Sequence, residues 1–236
     1  MPDMLLTKEE FEIEIKSFSQ TEEIEHRSWA VKNEKRDRSL INRIKLSVYP
    51  MLDNFGPYSS VLDLGCGAGV FFETYFSIAS EKINKLGVDM CKEAIKEAKI
   101  KLPKCDFRAG DLVEDLKLIP ENSFDLVTAF GVIHHVPSEE HRDKIYREMG
   151  RISKKNICIA NYRGWVSQEK FFKSSKSGKR IYAVEQTKQD FIVNLCRVNI
   201  NYRVACYLFD VKTKQNIVLL EFKGDKNESR TFSIEE

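Results

Sequence analysis

Apolar and polar positions change along the chain in blocks that indicate strands followed by helices. Five short apolar runs have the character of strands covered on both faces, as in a parallel sheet. Apolar residues spaced three or four positions apart, typical of amphipathic helices, follow the first, second and fourth runs. The predicted strands are Val61–Leu64, Lys85–Asp89, Cys105–Arg108, Phe124–Phe130 and Asn156–Asn161, and the predicted helices are Val70–Ile78, Lys92–Leu102 and a third that Ser138 caps.

The last part of the chain breaks this alternation. Two strand-like runs, Arg203–Asp210 and Asn216–Phe222, are joined by a short polar turn, which predicts a hairpin. Repeated strand–helix units followed by a hairpin predict an α/β fold. We expect a Rossmann-like, doubly wound sheet that is mostly parallel, ends in an antiparallel hairpin and carries helices on both faces.

Two further segments lie outside this repeating pattern. Residues 1–55 are polar with a weak apolar stripe and are predicted to form an N-terminal helical cap region. Residues 56–236 are predicted to form the main domain, with residues 162–190 as an insertion between the fifth strand and the hairpin. The chain thus divides into a cap region and one large domain.

Composition narrows the class of protein. The 38 Lys and Arg residues nearly balance 36 Asp and Glu, so net charge offers no general case for a nucleic-acid or membrane partner. No apolar run is long enough for a membrane span, and the early acidic residues do not suit a signal peptide. The scattered cysteines form no C-x-x-C pair, which fits a reducing environment and predicts a cytoplasmic protein.

The turn after the first predicted strand carries a glycine at every second position: Gly65, Gly67 and Gly69. A strand that turns into a helix through glycines lets a ligand approach the backbone, and the amides at the helix start then face that ligand. A dinucleotide fingerprint would need Gly or Ala at position 70, where this chain has Val70. The turn is also compatible with a tight connection that binds nothing.

Distinctive side chains stand where the next strands end, the edge at which open α/β sheets bind ligands. Asp89 could accept hydrogen bonds from both hydroxyls of a ribose, or it could cap the helix that follows. Asp111 could accept from an adenine amine, or cap its own loop. Met90 and Leu112 would cover the purine or belong to the core, and Phe130 would offer a backbone carbonyl to a ligand ammonium group.

Together these features resemble the class I S-adenosylmethionine-dependent methyltransferases, and most closely their small-molecule branch. The likeness runs from about Val61 to Asn161. One departure is the turn before the fifth strand, where the family often has Leu-Lys-Pro-Gly-Gly and this chain has Ser153–Asn156. The segments that carry the likeness are Asp63–Gly69, Ser123–Val127, Val132–Val136 and Arg147–Ile152.

The resemblance implies S-adenosyl-L-methionine as cofactor and S-adenosyl-L-homocysteine as product. It implies in-line transfer of a methyl group from a sulfonium to a nucleophile, in which the protein mainly aligns and desolvates the reactants. The cofactor-binding residues indicated by the loop and the strand ends are Asp63, Gly65, Cys66, Gly67, Gly69, Asp89, Met90, Asp111, Leu112 and Phe130.

A general base is needed only where the acceptor keeps its proton at neutral pH, as an alcohol does. His134, just past the fourth strand, is predicted to contact the acceptor or take its proton, because imidazole titrates near neutrality. For His135 the favoured interpretation is a structural tie to backbone carbonyls. No His, Cys and carboxylate group has metal-ligand spacing, so no metal is expected.

The acceptor is predicted to be a small molecule held by the N-terminal region and the 162–190 insertion. Aromatic residues among basic ones suit a lid over an acidic or aromatic compound, but they also suit nucleic acid or a solvated loop. The residues singled out are Arg27, Trp29, Arg36 and Arg38, then Tyr162, Arg163, Trp165, Phe171, Phe172 and Tyr182 among Lys170, Lys173, Lys176, Lys179 and Arg180.

Three alternatives stay open at this level. An RNA or protein methyltransferase would share the fold, although the Asn/Asp-Pro-Pro-Tyr/Phe motif of amine methylation is absent at Ala129–Val132. A binding protein without turnover is disfavoured by the intact glycine loop, Asp89 and Asp111. A nicotinamide dehydrogenase is disfavoured by Val70.

Overall fold

The computed structural model describes residues 4–11, 13, 48–75, 82–136, 138–161, 170–176, 179–199, 201–210 and 215–223. Residues 8–11 and 48–55 are helical. The strands are β1 (Met4–Leu6), β2 (Ser60–Leu64), β3 (Asn84–Asp89), β4 (Asp106–Ala109), β5 (Phe124–Phe130), β6 (Ser153–Asn161), β7 (Lys170–Lys176), β8 (Lys179–Glu185), β9 (Tyr202–Asp210) and β10 (Gln215–Phe222). The helices are α1 (Val70–Tyr75), α2 (Lys92–Lys101), α3 (Glu139–Ile152) and α4 (Lys188–Val198), with 3₁₀ turns at Asp115–Leu118 and Ile133–His135.

A seven-stranded sheet in the order β4-β3-β2-β5-β6-β10-β9 forms the centre of the molecule. The strands β2 to β6 pair in parallel, and β10 pairs antiparallel with both β6 and β9. The predicted fold class, including the terminal hairpin, is confirmed. The strand β6 begins at Ser153, directly after α3, so Ser153–Asn156 are strand residues and not a separate turn before it.

Helices cover both faces of this sheet because its strands alternate apolar side chains between two cores. On one face Leu62 and Leu64 pack with residues of α3 and α4 such as Met149. On the other face Val61 packs with residues of α1 and α2 such as Phe71. The helix α3 begins where predicted, because the Ser138 side chain accepts a hydrogen bond from the His141 amide.

A second, three-stranded sheet in the order β1-β7-β8 lies outside the predicted pattern. The helical prediction for residues 1–55 is wrong at Met4–Leu6, which form a strand paired antiparallel with β7 in the insertion. The insertion itself contains the hairpin β7–β8 and the start of α4. A small core of Phe11, Phe171 and Val184 supports this sheet.

Several segments singled out in the sequence lie outside the described residues. They include Arg27, Trp29, Arg36, Arg38 and the stretch 162–169. Of residues 76–81, predicted to end the first helix, nothing is described either. Within the described part of the chain, no helix combines the length and apolar character needed to cross a bilayer.

Candidate cofactor and acceptor site

The site lies at the carboxyl ends of β2 and β5, which are neighbours at the middle of the sheet. After β2 the chain passes to α1 on one face, and after β5 it passes to α3 on the other. Chains that leave adjacent parallel strands in opposite directions open a crevice at the sheet edge. The glycine turn borders this crevice on one side, and the segment after Phe130 borders it on the other.

The three glycines of the turn have positive φ angles, +65° at Gly65, +54° at Gly67 and +81° at Gly69. Their surroundings differ. A Cβ atom at Gly65 would overlap Cγ2 of Val132, and one at Gly69 would lie 2.9 Å from Cδ1 of Leu102. A Cβ atom at Gly67 would meet nothing within 4 Å. Gly65 and Gly69 therefore serve close packing, and Gly67 borders open space that a ligand can enter.

Backbone amides of the turn are used inside the protein. The amides of Gly65 and Cys66 donate to the carbonyl of Val88 at 2.8 and 3.2 Å, and the Gly69 amide donates to the Cys66 carbonyl at 3.0 Å. The amides of Gly65, Cys66 and Gly69 are therefore not the ones that would face a ligand. At these positions the turn contributes shape and close backbone approach, because these three amides already have acceptors within the protein.

Asp89 joins the glycine turn to the start of α2. Its Oδ2 accepts from the Gly67 amide at 2.9 Å, and its Oδ1 accepts from the Cys91 amide at 2.8 Å. The sequence left open whether Asp89 binds a ribose or caps the helix that follows. Its half-buried carboxylate holds the amide of Cys91, the residue before α2, and it also lies beside the open space at Gly67. Two carboxylate oxygens offer about four acceptor positions, so two remain for ligand hydroxyls.

Asp63 is buried in β2 and faces Thr128 in the register of β5. The Thr128 hydroxyl donates to Oδ1 of Asp63 at 2.6 Å. Burial raises the pKa of Asp63 to about 7; the Thr128 hydrogen bond opposes this shift, and the charge of Asp89 adds to it. The carboxyl group of Asp63, which lies in β2 just before the glycine turn, therefore changes charge near neutral pH.

Other predicted cofactor residues differ in their exposure. Met90 is 44% exposed beside Asp89, as a side chain open to a ligand should be. Asp111 is exposed, and its Oδ1 accepts from the amides of Val113 and Glu114, so it caps its own loop. Leu112 is half-buried against the core.

The two remaining predicted cofactor residues face the core to different degrees. The Cys66 side chain is buried, and a Cβ atom at Gly87 would lie 2.7 Å from its sulfur. The thiol thus points toward the neighbouring strand within the core. Phe130 is half-buried and packs edge-on against Phe71, with ring centroids 4.9 Å apart.

His134 lies in the 3₁₀ turn that follows β5, and β8 packs over this turn. Its side chain is 6% exposed, whereas His135 is exposed. The two rings contact each other with centroids 4.0 Å apart. The insertion and the predicted catalytic histidine are thus brought together, although 45 residues or more separate β8 from His134 in sequence.

Sequence reasoning missed two residues of this region. Thr128 is a polar residue in an otherwise apolar strand, and that contrast is the signal that could have marked it. Tyr49 contacts Thr74 through its hydroxyl and joins residues 48–55 to α1. Burial raises the pKa of Tyr49 to about 12, against the effect of the Thr74 hydrogen bond, so its hydroxyl stays protonated at neutral pH. Nothing in the sequence of the helical segment 48–55 marked Tyr49 in the way that its apolar neighbours marked Thr128.

Comparison with known proteins matches residues 57–224 to a family model described as a methyltransferase domain. The chain belongs to this methyltransferase family. The match covers the whole seven-stranded sheet, and together with the site geometry it makes the protein a class I S-adenosylmethionine-dependent methyltransferase. The open space at Gly67 and the carboxylate of Asp89 beside it fit an adenosine-containing cofactor.

Individual relatives agree with this assignment. The methyltransferase is 27% identical to the ubiquinone biosynthesis O-methyltransferase of Chromobacterium violaceum over 190 residues, which are 78% of this chain and 72% of that protein. It is 29% identical over 106 residues to the mouse protein named "Probable tRNA methyltransferase 9B", covering 44% of this chain and 22% of the relative. A crystal structure of a SAM-dependent methyltransferase from Aquifex aeolicus shares the fold, with a TM-score of 0.57, 18% identity and coverage of 79% and 97%.

Among the described residues, no three or more His, Cys, Asp or Glu side chains are grouped so that they could hold a metal ion.

Proposed function

We propose that this methyltransferase transfers a methyl group to a hydroxyl oxygen of a small-molecule acceptor. Support for oxygen comes from the O-methyltransferases among its relatives. Support for a small acceptor comes from the same relatives and from a net charge of only +2, which provides little general attraction for RNA. The observation that carries the proposal is the buried His134 at the end of β5, beneath β8.

The cofactor is proposed to lie along the carboxyl edge of β2, β3 and β4. When bound, it supplies a methyl group on a positively charged sulfur. Gly67 leaves room for it, Asp89 accepts hydrogen bonds from the ribose hydroxyls, and Met90 covers one face of the purine. The proposed set is completed by Asp63, Gly65, Cys66 and Gly69 beneath and within the turn, and by Asp111, Leu112 and Phe130 at the next strand ends.

The acceptor is proposed to bind between the segment after β5 and the insertion. His134 accepts the hydroxyl proton as the new carbon–oxygen bond forms, because an alcohol or phenol remains protonated near pH 7. The hairpin β7–β8 of the insertion excludes water from above, which favours transfer to the acceptor over side reactions. In this proposal β1 supports the hairpin by pairing with β7.

A transfer assay with methyl-labelled S-adenosylmethionine tests the proposal. The acceptors are catechol, aniline and thiophenol, which present oxygen, nitrogen and sulfur on the same ring, together with bulk tRNA. We expect label in catechol alone. Label in tRNA but in no small compound would overturn the proposal in favour of an RNA methyltransferase.

The base is tested by His134→Gln, which keeps a polar side chain of similar length. We expect kcat with catechol to fall by about 10²- to 10⁴-fold, the usual contribution of a general base. S-adenosylhomocysteine should bind with affinity within about twofold of the wild type. The matched control is His141→Gln, which changes an exposed histidine on α3 and should leave kcat unaltered. Unchanged turnover in the His134 variant would remove it from the reaction.

A further inference from the structure

A buried arginine of α3 reaches back to the turn that carries His134. Arg142 is 3% exposed, and its Nη1 donates to the carbonyl of Val136 at 2.9 Å. Burying a guanidinium is costly unless its N–H groups donate hydrogen bonds. The hydrogen bond from Arg142 to the Val136 carbonyl therefore offsets part of that cost and fixes both groups. The contact spans six residues and closes the chain between the end of β5 and the first turn of α3.

The turn is held at its other end by the sheet and the glycine turn. The Gly131 amide donates to the Ala160 carbonyl at 2.7 Å, and the Val132 side chain fills the space over Gly65. Inside the turn, the amides of His135 and Val136 donate to carbonyls three residues earlier, at 2.9 and 3.0 Å. Residues 131–136 are therefore attached at the start by β6 and at the end by Arg142.

We infer that Arg142 is a positioning residue, which holds the 131–136 turn so that His134 keeps its place beneath β8. The inference rests on the proposed function for its catalytic meaning. A guanidinium suits the task because its rigid fork fixes the carbonyl direction, whereas a neutral side chain of the same length would leave the half-buried Val136 carbonyl without this donor. Without the tie, the turn keeps its internal bonds and loses its fixed orientation.

The test compares Arg142→Met with Arg142→Lys and uses readouts that need no acceptor. The chain has four histidines, so proton–carbon spectra of the imidazole rings can be assigned with His134→Gln as the reference. In Arg142→Met we expect the His134 ring signals to shift or broaden, and amide hydrogen exchange in residues 131–136 to accelerate at least tenfold. In Arg142→Lys we expect the His134 ring signals and the amide exchange to lie between those of the wild type and of Arg142→Met, since an ammonium can still donate to Val136.

Arg151→Met is the matched control, because Arg151 on the same helix donates to the Leu116 and Ile119 carbonyls at 3.0 and 2.8 Å, away from the turn. We expect it to leave the His134 signals and the exchange of residues 131–136 within twofold of the wild type. S-adenosylhomocysteine affinity should be unchanged in all three variants. Wild-type His134 signals and exchange in Arg142→Met would overturn the inference.

Should Arg142→Met fail to fold, Arg142→Lys decides alone: wild-type spectra and exchange contradict the inference, and partial loosening of the turn supports it. The result is independent of whether His134 is the base. If His134→Gln does not slow methyl transfer, the proposed function loses its base, while ring spectra and exchange still report whether Arg142 holds the turn.

Discussion

The Thr128 hydroxyl donates a 2.6 Å hydrogen bond to Oδ1 of Asp63, and the two residues face each other across β2 and β5. Both side chains are buried. A carboxyl group in this setting gains a single strong donor but loses most of its hydration, which explains a pKa raised from 3.8 to about 7. The pair makes the centre of the sheet sensitive to pH.

Asp63→Asn should gain stability relative to the wild type as pH rises. The folded protein holds the Asp63 proton more tightly than the unfolded chain does, so protonation stabilises the fold. This stabilisation is fully present below about pH 4 and is lost as pH rises through about 7. Over roughly three pH units the difference amounts to at most about 4 kcal/mol. Urea unfolding at pH 5 and pH 8 measures the part of this difference that lies above pH 5, about 3 kcal/mol at most, and a stability difference that does not depend on pH would contradict the prediction.

Thr128→Val should destabilise the protein more at pH 8 than at pH 5. The substitution keeps the shape of the side chain but removes the donor that favours ionised Asp63, so the charged carboxylate becomes costlier to bury. We expect a loss of about 1–3 kcal/mol at pH 8. Thr128→Ser, which retains the hydroxyl, is the control and should show a smaller pH dependence.

Alanine at Gly65 and at Gly67 should have different consequences although both residues have positive φ. The backbone strain of about 1–2 kcal/mol is common to both. Gly65→Ala adds an overlap with Val132, and we expect it to lose further stability that Val132→Ala restores. Gly67→Ala meets no neighbour, so it should fold and yet bind S-adenosylhomocysteine at least tenfold more weakly. Thermal unfolding and calorimetry separate the two; equal stability losses would contradict the distinction.

Asp89→Asn should weaken binding of S-adenosylhomocysteine by about 10- to 150-fold. Hydrogen bonds to a charged acceptor contribute about 1.5–3 kcal/mol, and the neutral amide also holds the Gly67 and Cys91 amides less firmly. Calorimetry with S-adenosylhomocysteine, and with NAD as a nucleotide that should not bind, gives the measurement. Asp111→Asn serves for comparison. Its exposed carboxylate already caps its own loop, so we expect a smaller loss of affinity.

Phe11→Ala should loosen the second sheet and leave the cofactor site intact. Phe11 is 2% exposed and contacts the Phe171 ring, with centroids 4.9 Å apart, in a core that is separate from those of the main sheet. We expect faster amide exchange in residues 170–185 and unaltered affinity for S-adenosylhomocysteine. Exposed Ile13→Ala is the control. Loss of cofactor affinity in Phe11→Ala would show that the two regions are coupled.

The order of strands and helices from β2 to β6 could be predicted because each element carries its own local signal. Buried parallel strands are continuous apolar runs, and helices repeat every three or four residues. Asp89 could be placed at the site for a related reason: parallel strands of one sheet present their carboxyl ends at one edge, so a residue that ends a strand lies there whatever the details of packing.

The second sheet could not be predicted in this way. The strand β1 has only three residues, too few for a period, and its partner β7 lies more than 160 residues away. Pairing over such a distance depends on tertiary contacts, such as the packing of Phe11 against Phe171, that a three-residue strand does not specify. The mixture of basic and aromatic residues in the insertion showed no alternation from which strand pairing could be predicted, so the hairpin β7–β8 was missed.

By itself the sequence determined the α/β fold, the glycine turn and the strand-end carboxylates, because local periodicity and chain geometry suffice for these. Only the tertiary structure decided that Gly65 packs against Val132 while Gly67 faces open space, that Thr128 meets Asp63, and that Arg142 holds the turn of His134. These contacts join residues from different elements, and their geometry depends on how side chains fill a shared interior, which no local pattern encodes.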